Sequence, residues 1–372
     1  MSETVLEADV FVVGGGPAGL AAALAVRKRG FSVIVADHAI PPIDKACGEG
    51  LMPDSLAALS DLGVTLDGLE VGTFHGIKFI HQKSETSARF PRGVGYGIRR
   101  TVLHKRITEC ATEAGVRLCW GTRVDLSQPG LLFANGNPVR ARWIVGADGL
   151  GSQVRKWAGL NCGREHDRRI GYRQHFGVKP WSEFVEIYWA HGAQAYVTPV
   201  AAHEVCVAII SRRRVGSFAD ELTRFPVLSE RLSGARGTTA ARGSLTLSRR
   251  LASVFRGNVA LIGEASGSVD AITGEGLTMA FRQSLAFADA ITAGELPGYQ
   301  RAHSEIGEVP TFMARTMLLM DKSKWMQRRA MTAFKHRPAL FGRMLSVHVG
   351  AAPLKNFGQH GIVNLGWQLF TA

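Results

Sequence analysis

Hydrophobic and polar positions near the start of the chain follow a strand–helix–strand pattern. Residues 9–13 (DVFVV) form a short continuous apolar run, which is typical of a buried parallel strand. Good helix formers follow over residues 21–29, where Pro17 suits the first helical turn and Gly30 suits the helix end. Residues 31–36 (FSVIVA) make a second apolar run. The pattern predicts one βαβ unit.

The rest of the chain mixes strand-only segments with strand–helix segments. An inserted sheet within an α/β domain that is assembled from separated pieces accounts for this order. The predicted segments are short glycine-punctuated strands over 74–96, a helix over 101–114, a strand over 139–145, antiparallel strands between 170 and 210, a strand over 258–262, a long helix from about Gly276, and helices over 311–349.

Composition adds a charge asymmetry to this picture. The 372 residues carry a net charge of +13, and the segment from Pro310 onward has nine Lys and Arg but one acidic residue, Asp321. A solvated pair of basic helices explains this, and a surface for anionic lipid headgroups or an acidic carrier is the alternative. We expect no nucleic-acid partner, because no recognised module accompanies the charge.

Two further features concern the compartment. We find no run of about 18 apolar residues, so a membrane-spanning helix is not expected. The five cysteines form no Cys-x-x-Cys pair, which favours the reducing cytoplasm, with peripheral membrane contact through the basic C-terminal region as an option.

A glycine fingerprint joins the first predicted strand to the first helix. Gly14 permits a tight turn, Gly16 lets the backbone approach a pyrophosphate, and Gly19 allows the helix to pack close to the strand. The helix N-terminus, with roughly half a positive charge, would face the phosphates. The predicted dinucleotide contacts are Gly14, Gly16, Pro17, Ala18 and Gly19, with Asp37 at the end of the second strand for the ribose.

Two later motifs turn this general signal into a resemblance. Residues 146–155 read GADGLGSQVR, and residues 257–277 read GNVALIGEASGSVDAITGEGL. With the fingerprint, they resemble the three signatures of the flavoprotein group that contains p-hydroxybenzoate hydroxylase, flavin-dependent halogenases and geranylgeranyl reductases. The resemblance spans residues 8 to 290 and implies FAD as the cofactor.

The predicted fold is therefore α/β, with a Rossmann-like FAD-binding domain, an inserted antiparallel β-sheet substrate domain and a helical C-terminal region. The predicted divisions are residues 1–73, 97–165 and 248–310 for the FAD-binding domain, 74–96 and 166–247 for the sheet domain, and 311–372 for the basic helical region.

The resemblance also implies roles for single residues on the later motifs. Asp148, continued by Ser152 and Arg155, matches the pyrophosphate side. Glu264 follows Gly263 where the group usually has Asp on the ribityl chain, so the longer side chain requires a rearranged contact. Arg100 matches the cation on the phosphate and ribityl side, with Arg99 as its rival.

Two glycine-rich segments would lie along the flavin ring. The helix that begins near Gly274 and Gly276 would direct its N-terminal N–H groups and dipole at the flavin pyrimidine, which favours reduced flavin. The loop ACGEGLM places Cys47 and Gly48 at the ring edge, as the resemblance implies. A small buried residue beside the ring is the plainer interpretation of Cys47.

The sequence leaves two reactions open. An NAD(P)H-driven monooxygenase would hydroxylate an aromatic or polyketide-derived, alkylresorcinol-like substrate, and the segments CGEGLMP and AYVTPV resemble such hydroxylases. A reductase of prenyl double bonds is the alternative, although the Trp and Phe of the Tyr-x-Trp-x-Phe-Pro stretch in geranylgeranyl reductases are missing around Tyr196. A non-enzymatic FAD-binding interaction protein is the third possibility.

The substrate would lie between the inserted sheet and the flavin. Tyr196, Tyr188 and His175 are the candidate substrate residues, and each is also an ordinary sheet residue by type. The sequence names no catalytic base, and no metal is expected. NAD(P)H would be a transient electron donor, because we find no second dinucleotide fingerprint. The expected partner is a small, lipophilic molecule.

Overall fold

The computed structural model describes residues 5–82, 84–126, 131–212 and 216–354. The first part of the chain alternates strands with helices, as the sequence predicts. Its elements are β1 (Leu6–Val13), α1 (Pro17–Arg27), β2 (Val33–Asp37), β3 (Gly50–Leu51), α2 (Pro53–Asp61), β4 (Gly72–Phe74), β5 (Gly76–His81), β6 (Ser84–Arg89), β7 (Gly95–Gly97), α3 (Arg100–Glu113), β8 (Arg117–Trp120), β9 (Val124–Asp125), β10 (Phe133–Ala134), β11 (Asn137–Gly146) and α4 (Gln153–Trp157).

The second part begins with long strands and ends in helices. Its elements are β12 (Gly163–Gly177), β13 (Val185–Ala190), β14 (Ala193–Ala201), β15 (Glu204–Ser211), α5 (Phe218–Leu222), α6 (Pro226–Arg231), β16 (Arg236–Gly237), β17 (Arg242–Leu251), β18 (Phe255–Arg256), β19 (Val259–Leu261), α7 (Gly276–Thr292), α8 (Leu296–Ile306), α9 (Glu308–Asp321), α10 (Lys324–His336) and α11 (Pro338–His348). Short 3-10 turns at Gly263–Ser266 and Ala271–Thr273 join β19 to α7.

The first sheet has the strand order β18-β19-β11-β1-β2-β8, with β10 and β9 added beside β11. Strand β1 pairs in parallel with β11 and β2, and β2 pairs in parallel with β8. The apolar run that predicted a buried strand is fully buried from Val10 to Val12. Helices α1 and α7 cover one side of this sheet, so the predicted α/β architecture is confirmed.

The second sheet has the order β16-β12-β15-β14-β13-β5-β6, and β17 pairs with β12. Its neighbours are antiparallel, as predicted, except that β13 and β5 run parallel. The exception arises because the β5–β6 hairpin comes from an earlier part of the chain and joins the sheet at its edge. Hairpin turns therefore do not fix the direction of this pair.

Each face of the second sheet buries a different set of side chains. The outer face carries Phe176 and Tyr188 and packs against α5 and α6. The inner face carries Phe79, Trp189 and Tyr196 and packs against the C-terminal helices and the 3-10 turn before α7. We call these the outer and inner faces, and the side-chain alternation of strands assigns every residue of the sheet to one of them.

The predicted domain boundaries can be located on the strands and helices of this fold. The division between 165 and 166 lies within β12, and that between 247 and 248 lies within β17. The first helix of the C-terminal region, α9, begins at Glu308, and residues 355–372 of the predicted region lie outside the described residues. Among the described helices, none combines the length and apolar character that a membrane crossing requires.

Candidate cofactor and substrate site

The three sequence motifs meet at one edge of the first sheet. A Cβ added to Gly14 would lie 2.4 Å from the carbonyl oxygen of Ala147, and Gly14 has φ +109°. A Cβ added to Gly263 would lie 2.8 Å from the Cβ of Ala18. Side chains at these glycines would therefore push the motifs apart, since atoms cannot approach so closely.

The start of α1 shows two different uses of glycine. A Cβ on Gly19 would lie 1.8 Å from the carbonyl oxygen of Gly14, so the helix could not pack on the turn. A Cβ on Gly16 would meet no atom within 4 Å. The open space above Gly16, at the N-terminus of α1, is where a close-lying phosphate ligand would fit.

Asp37 holds the glycine turn from the end of β2. Its carboxylate accepts hydrogen bonds from the backbone N–H of Gly15 at 2.6 Å and of Ala39 at 2.8 Å. A carboxylate offers about four acceptor positions, so a ribose hydroxyl would be an additional partner. The turn is thus shaped by the residue that the sequence assigned to the ribose.

His104 and Trp120 complete this turn, and no sequence pattern pointed to either residue. The Nε2 of His104 donates to the carbonyl oxygen of Gly15 at 2.8 Å, and Trp120 fills the space where a Cβ on Gly15 would stand. Burial lowers the pKa of His104, which keeps the imidazole neutral at pH 7. A lone His in a helix is too common to be recognised beforehand.

Asp148 and its neighbours form the second part of the cradle. One carboxylate oxygen of Asp148 accepts from the backbone N–H groups of Gln153 and Val154 at 2.7 and 3.1 Å. The other, Oδ1, is buried without a protein partner. Ser152 and Arg155 serve the fold, because Ser152 caps α4 and buried Arg155 donates to backbone carbonyls.

Glu264 makes a contact that its extra methylene allows. Its Oε2 lies 2.5 Å from the Nζ of Lys45, and both side chains are partly exposed. The cation therefore comes from the segment between β2 and β3, opposite the 3-10 turn that carries Glu264. The acidic position is retained at the sheet edge, beside Gly149, with a lysine partner.

Arg100 and Arg99 have different surroundings in the structure. Arg99 lies 3.6 Å from the carboxylate of Glu204, in a partly exposed ion pair. The Nε of Arg100 is buried without a protein partner. Since an unpartnered buried guanidinium N–H is costly, Arg100 is the better placed of the two to meet an anionic ligand.

The start of α7 is open as the sequence predicts. Gly274 has φ +72°, and added Cβ atoms at Gly274 and Gly276 would meet no atom within 4 Å. Glu275 between them is buried, with its Oε2 3.5 Å from the Nδ1 of His348 on α11. Burial and the nearby charge of Asp54 raise the pKa of Glu275 well above its usual range. The C-terminal helices thus reach the start of α7.

The loop that carries Cys47 and Gly48 also contains Glu49, a buried residue that no sequence pattern singled out. Glu49 is 3% exposed and has φ +59°. Its Oε2 lies 2.6 Å from the Nε2 of His175, and its Oε1 accepts from the backbone N–H of Arg100 at 3.0 Å. Cys47 accepts a weak hydrogen bond from the N–H of Glu49. This network links the loop, α3 and the inner face of the sheet.

Both ring nitrogens of His175 have close polar partners. The Nδ1 lies 2.9 Å from the Thr239 hydroxyl and 3.2 Å from the Nη1 of Arg173, and the Nε2 lies against the Glu49 carboxylate. Although burial alone would lower it, the pKa of Arg173 is raised by its hydrogen bond to Asp44 and by the charge of Glu49.

Glu49, His175 and Cys206 also have the side-chain types and the proximity that a metal ion would require. However, the Nε of Arg173 lies 3.9 Å from the Oε1 of Glu49, so a positive charge already occupies this position. Burial raises the pKa of the Cys206 thiol well above its usual value, so it is protonated. These charges describe a salt-bridged network rather than a metal centre.

The three candidate substrate residues lie on different faces. His175 and Tyr196 belong to the inner face, and the Tyr196 hydroxyl donates to the carbonyl oxygen of Ile272 at 2.7 Å. Tyr188 belongs to the outer face, where its hydroxyl donates to Glu186 at 2.6 Å. The sheet therefore separates Tyr188 from the other two.

A small apolar pocket lies where the inner face meets the C-terminal helices. Its lining combines aromatic and flexible side chains from the sheet and from α9 and α10: Phe79, Trp189, Met320, Gln327, Ala330, Met331 and Phe334. Its free volume is about 10 Å³, so an apolar chain would enter only if the methionine side chains moved, which their flexibility allows.

Comparison with known proteins agrees with this geometry. Residues 7–225, more than half of the chain, match the FAD binding domain family. Menaquinone reductase from Mycolicibacterium smegmatis is 27% identical over 324 residues, which is 79% of this chain and 79% of that protein. The putative FAD-dependent monooxygenase YetM from Bacillus subtilis is 26% identical over 254 residues, 61% of this chain and 66% of that protein.

Among solved structures, a flavoprotein/dehydrogenase from Cytophaga hutchinsonii superposes with a TM-score of 0.83 at 19% identity, over 97% of this chain and 98% of that one. At this identity the likeness concerns the fold. The residues present fit FAD, because open glycines and unpartnered polar atoms at Asp148 and Arg100 follow one another along the site. Bound FAD would supply two-electron chemistry. The chain belongs to the FAD binding domain family and is an FAD-dependent oxidoreductase.

Proposed function

We propose that this oxidoreductase is an NAD(P)H-driven monooxygenase that hydroxylates an aromatic, alkylresorcinol-like substrate with an apolar tail. The observation that carries the proposal is the division of the inner face into a polar and an apolar half. Arg173 and His175 on β12 and Cys206 on β15 form the polar half. The apolar half covers β5 and β13 and includes Ala208 and Ile210 of β15. A molecule with a phenolic ring and a hydrocarbon tail matches this division.

The polar half supports a hydroxylated ring. Arg173 and His175 on β12 and Cys206 on β15 surround Glu49, and all four side chains are at least nine-tenths buried. Glu49 and His175 already hydrogen-bond to each other, but the Nε of buried Arg173 has no hydrogen-bond partner, and a ligand without an acceptor would leave it unpaired. These residues would orient the ring hydroxyls.

The apolar half supports the tail. The pocket between Phe79, Trp189 and the helices α9 and α10 lies on the same face, three to four strands away from β12. Adjacent strands lie about 4.8 Å apart, so the pocket is separated from β12 by roughly 14 to 19 Å. That distance corresponds to a medium-length alkyl chain.

The wall beside Tyr196 argues against a geranylgeranyl-reductase arrangement. Thr198 packs tightly, because its Cγ2 would lie 2.8 Å from a Cβ at Gly97 and 3.7 Å from one at Gly50. A Trp or Phe on this part of β14, as the reductases carry, would require the neighbouring strands to move. The small side chain favours a ring-sized space near the cofactor loop.

Reduction of a prenyl or quinone-linked double bond is the second candidate. The similarity to menaquinone reductase over 79% of both chains supports it. NAD(P)H would serve either reaction through a brief encounter with the flavin. We also place the protein in the cytoplasm on its cysteine usage, as part of this proposal.

The test separates the reactions by the fate of oxygen. The purified yellow protein is given NAD(P)H, labelled O₂ and either alkylresorcinols or prenyl lipids. We expect substrate-stimulated oxygen uptake and label in the product. Saturation of a double bond without oxygen would establish the reductase. A flavin that NAD(P)H never bleaches, with any substrate, would leave an FAD-binding interaction protein.

Matched tyrosine variants add a structural control. Tyr196→Phe removes an inner-face hydroxyl, whereas Tyr188→Phe removes an outer-face hydroxyl of equal size. We expect the first to change the KM for the aromatic substrate and the second to leave it unchanged. Equal effects would show that the inner face does not contact the substrate.

A further inference from the structure

The turn between α9 and α10 exposes large apolar side chains. Leu319 is 51% exposed and Trp325 is 47% exposed, and each lies within one helical turn of this junction. Other exposed large apolar residues of the described chain are scattered over distant elements. Single exposed apolar residues are ordinary, but a pair at one turn needs a reason.

Cations surround this pair without any balancing acid. Arg315, Lys322, Lys324 and Arg328 are exposed on the same two helices. The one acidic residue between 309 and 354, Asp321, is fully buried, where its carboxylate accepts from the Nε of Arg212 at 2.8 Å. Apart from Glu308 at the first position of α9, the exposed charged side chains of these helices are therefore positive.

This combination matches a bilayer more closely than an acidic protein. Trp is favoured at the boundary between headgroups and acyl chains, and basic side chains bind anionic headgroups. The guanidinium of Arg329 lies over the Trp325 ring, 5.0 Å from its centroid. An amphipathic ring with a cation above it suits an interface that is apolar on one side and charged on the other.

We propose that the α9–α10 turn docks on an anionic phospholipid bilayer through Leu319 and Trp325, and that a lipophilic substrate reaches the inner face from that side. The part of this proposal that concerns the route of the substrate rests on the proposed function. Met320, next to Leu319, and Ala330 on α10 line the apolar pocket, so the same two helices form the docking surface and the pocket wall.

Vesicle sedimentation of the full-length, FAD-loaded protein tests the docking without any substrate. Vesicles of phosphatidylcholine are compared with vesicles that also contain phosphatidylserine. We expect binding to the anionic vesicles that falls with added salt, because exposed charges are screened within about 10 Å at 0.1 M salt. Equal binding to neutral and anionic vesicles would overturn the proposal.

Two variants and two matched controls locate the surface. The variant K322Q/K324Q/R328Q should bind about fivefold less tightly per lost cation, and L319S/W325S should also lose binding. The controls R92Q/R117Q/R164Q and L245S remove the same kinds of exposed side chain elsewhere. Flavin absorbance verifies that each variant is folded. Binding of the first two variants equal to that of the controls would overturn the proposal.

The outcomes also separate this proposal from the proposed function. Retention of wild-type protein on immobilised polyglutamate, but not on vesicles, would assign the surface to an acidic protein instead. Vesicle binding without an oxygenated product would refute the monooxygenase and leave the docking intact. Where the product forms, the cation variant should raise KM for substrate in vesicles but not for substrate in detergent micelles.

Discussion

Gly16 and Gly19 allow a matched test of the cofactor site. Both become alanine, and the structure predicts opposite consequences. In Gly19→Ala the new Cβ would start 1.8 Å from the carbonyl oxygen of Gly14, about 1.5 Å closer than contact distance. Overpacking of this kind costs about 1 to 3 kcal/mol, so the free energy of unfolding of the apoprotein should fall by that amount.

Gly16→Ala should leave the apoprotein nearly unchanged. The Cβ meets no atom within 4 Å, and φ −70° with ψ 177° is open to alanine. As the helix N-cap, alanine costs less than about 1 kcal/mol relative to glycine. The methyl group would, however, occupy the space assigned to the pyrophosphate. The affinity for FAD should therefore fall by about tenfold or more, an effect of at least 1.4 kcal/mol.

Chemical unfolding of the apoproteins and fluorescence titration with FAD measure the two quantities. We expect Gly19→Ala to lower the stability of the apoprotein. We expect Gly16→Ala to weaken FAD binding while the stability of its apoprotein stays close to that of the wild type. FAD affinity of Gly16→Ala within twofold of wild type would refute the placement of the phosphates. Equal stability of both apoproteins would refute the packing argument for Gly19.

Three further predictions concern separate parts of the molecule. Arg100→Gln should weaken FAD binding about tenfold, whereas Arg99→Gln, which removes a partly exposed ion pair, should change it little; titration with FAD compares them. Burial lowers the pKa of His303 from 6.5 to about 4, so its neutral form stabilises the fold above pH 6.5 and about 3 kcal/mol is lost as the pH falls to 4. His303→Gln should remove that part of the pH dependence in urea unfolding, and an unchanged slope would contradict the assignment. Ala330→Phe fills the apolar pocket and should raise the KM of long-chain substrates more than that of short-chain ones; a uniform change would show that the pocket does not hold the tail.

The sequence predicted the parts of the site that depend on local geometry. Gly14 is required by its φ of +109° and Gly19 by its approach to the carbonyl oxygen of Gly14, so both requirements arise within a single turn and the spacing reveals them. The apolar runs likewise predicted four strands of the first sheet, namely β1, β2, β11 and β19. His104 escaped notice because its role depends on a backbone oxygen 89 residues earlier in the chain. Contacts over such distances leave no pattern in one sequence.

The parallel pairing of β5 with β13 escaped notice for a related reason. Alternation of apolar and polar residues predicts a strand, but it carries no information about which neighbour the strand will find. The β5–β6 hairpin lies about 100 residues before β13 and joins the sheet beside Val185 and Ile187. A single step along β13 also exchanges the inner face for the outer one, which is why Tyr188 lies on the face opposite to His175 and Tyr196.

Buried charge pairs explain how the two domains hold one active-site geometry. Asp44 and Glu49 on the cofactor side pair with Arg173 and His175 on the sheet, across more than 120 residues of sequence. A buried charge is costly unless it is paired. Separating the two domains would therefore leave unpaired charges on the surface of each domain. The positive φ of Glu49 is a cost that this pairing offsets, because in this conformation its carboxylate reaches His175 while its N–H reaches Cys47. Although the segment CGEG contains two glycines, it is thus a rigid connection. It holds the polar half of the inner face in place beside the expected position of the flavin ring.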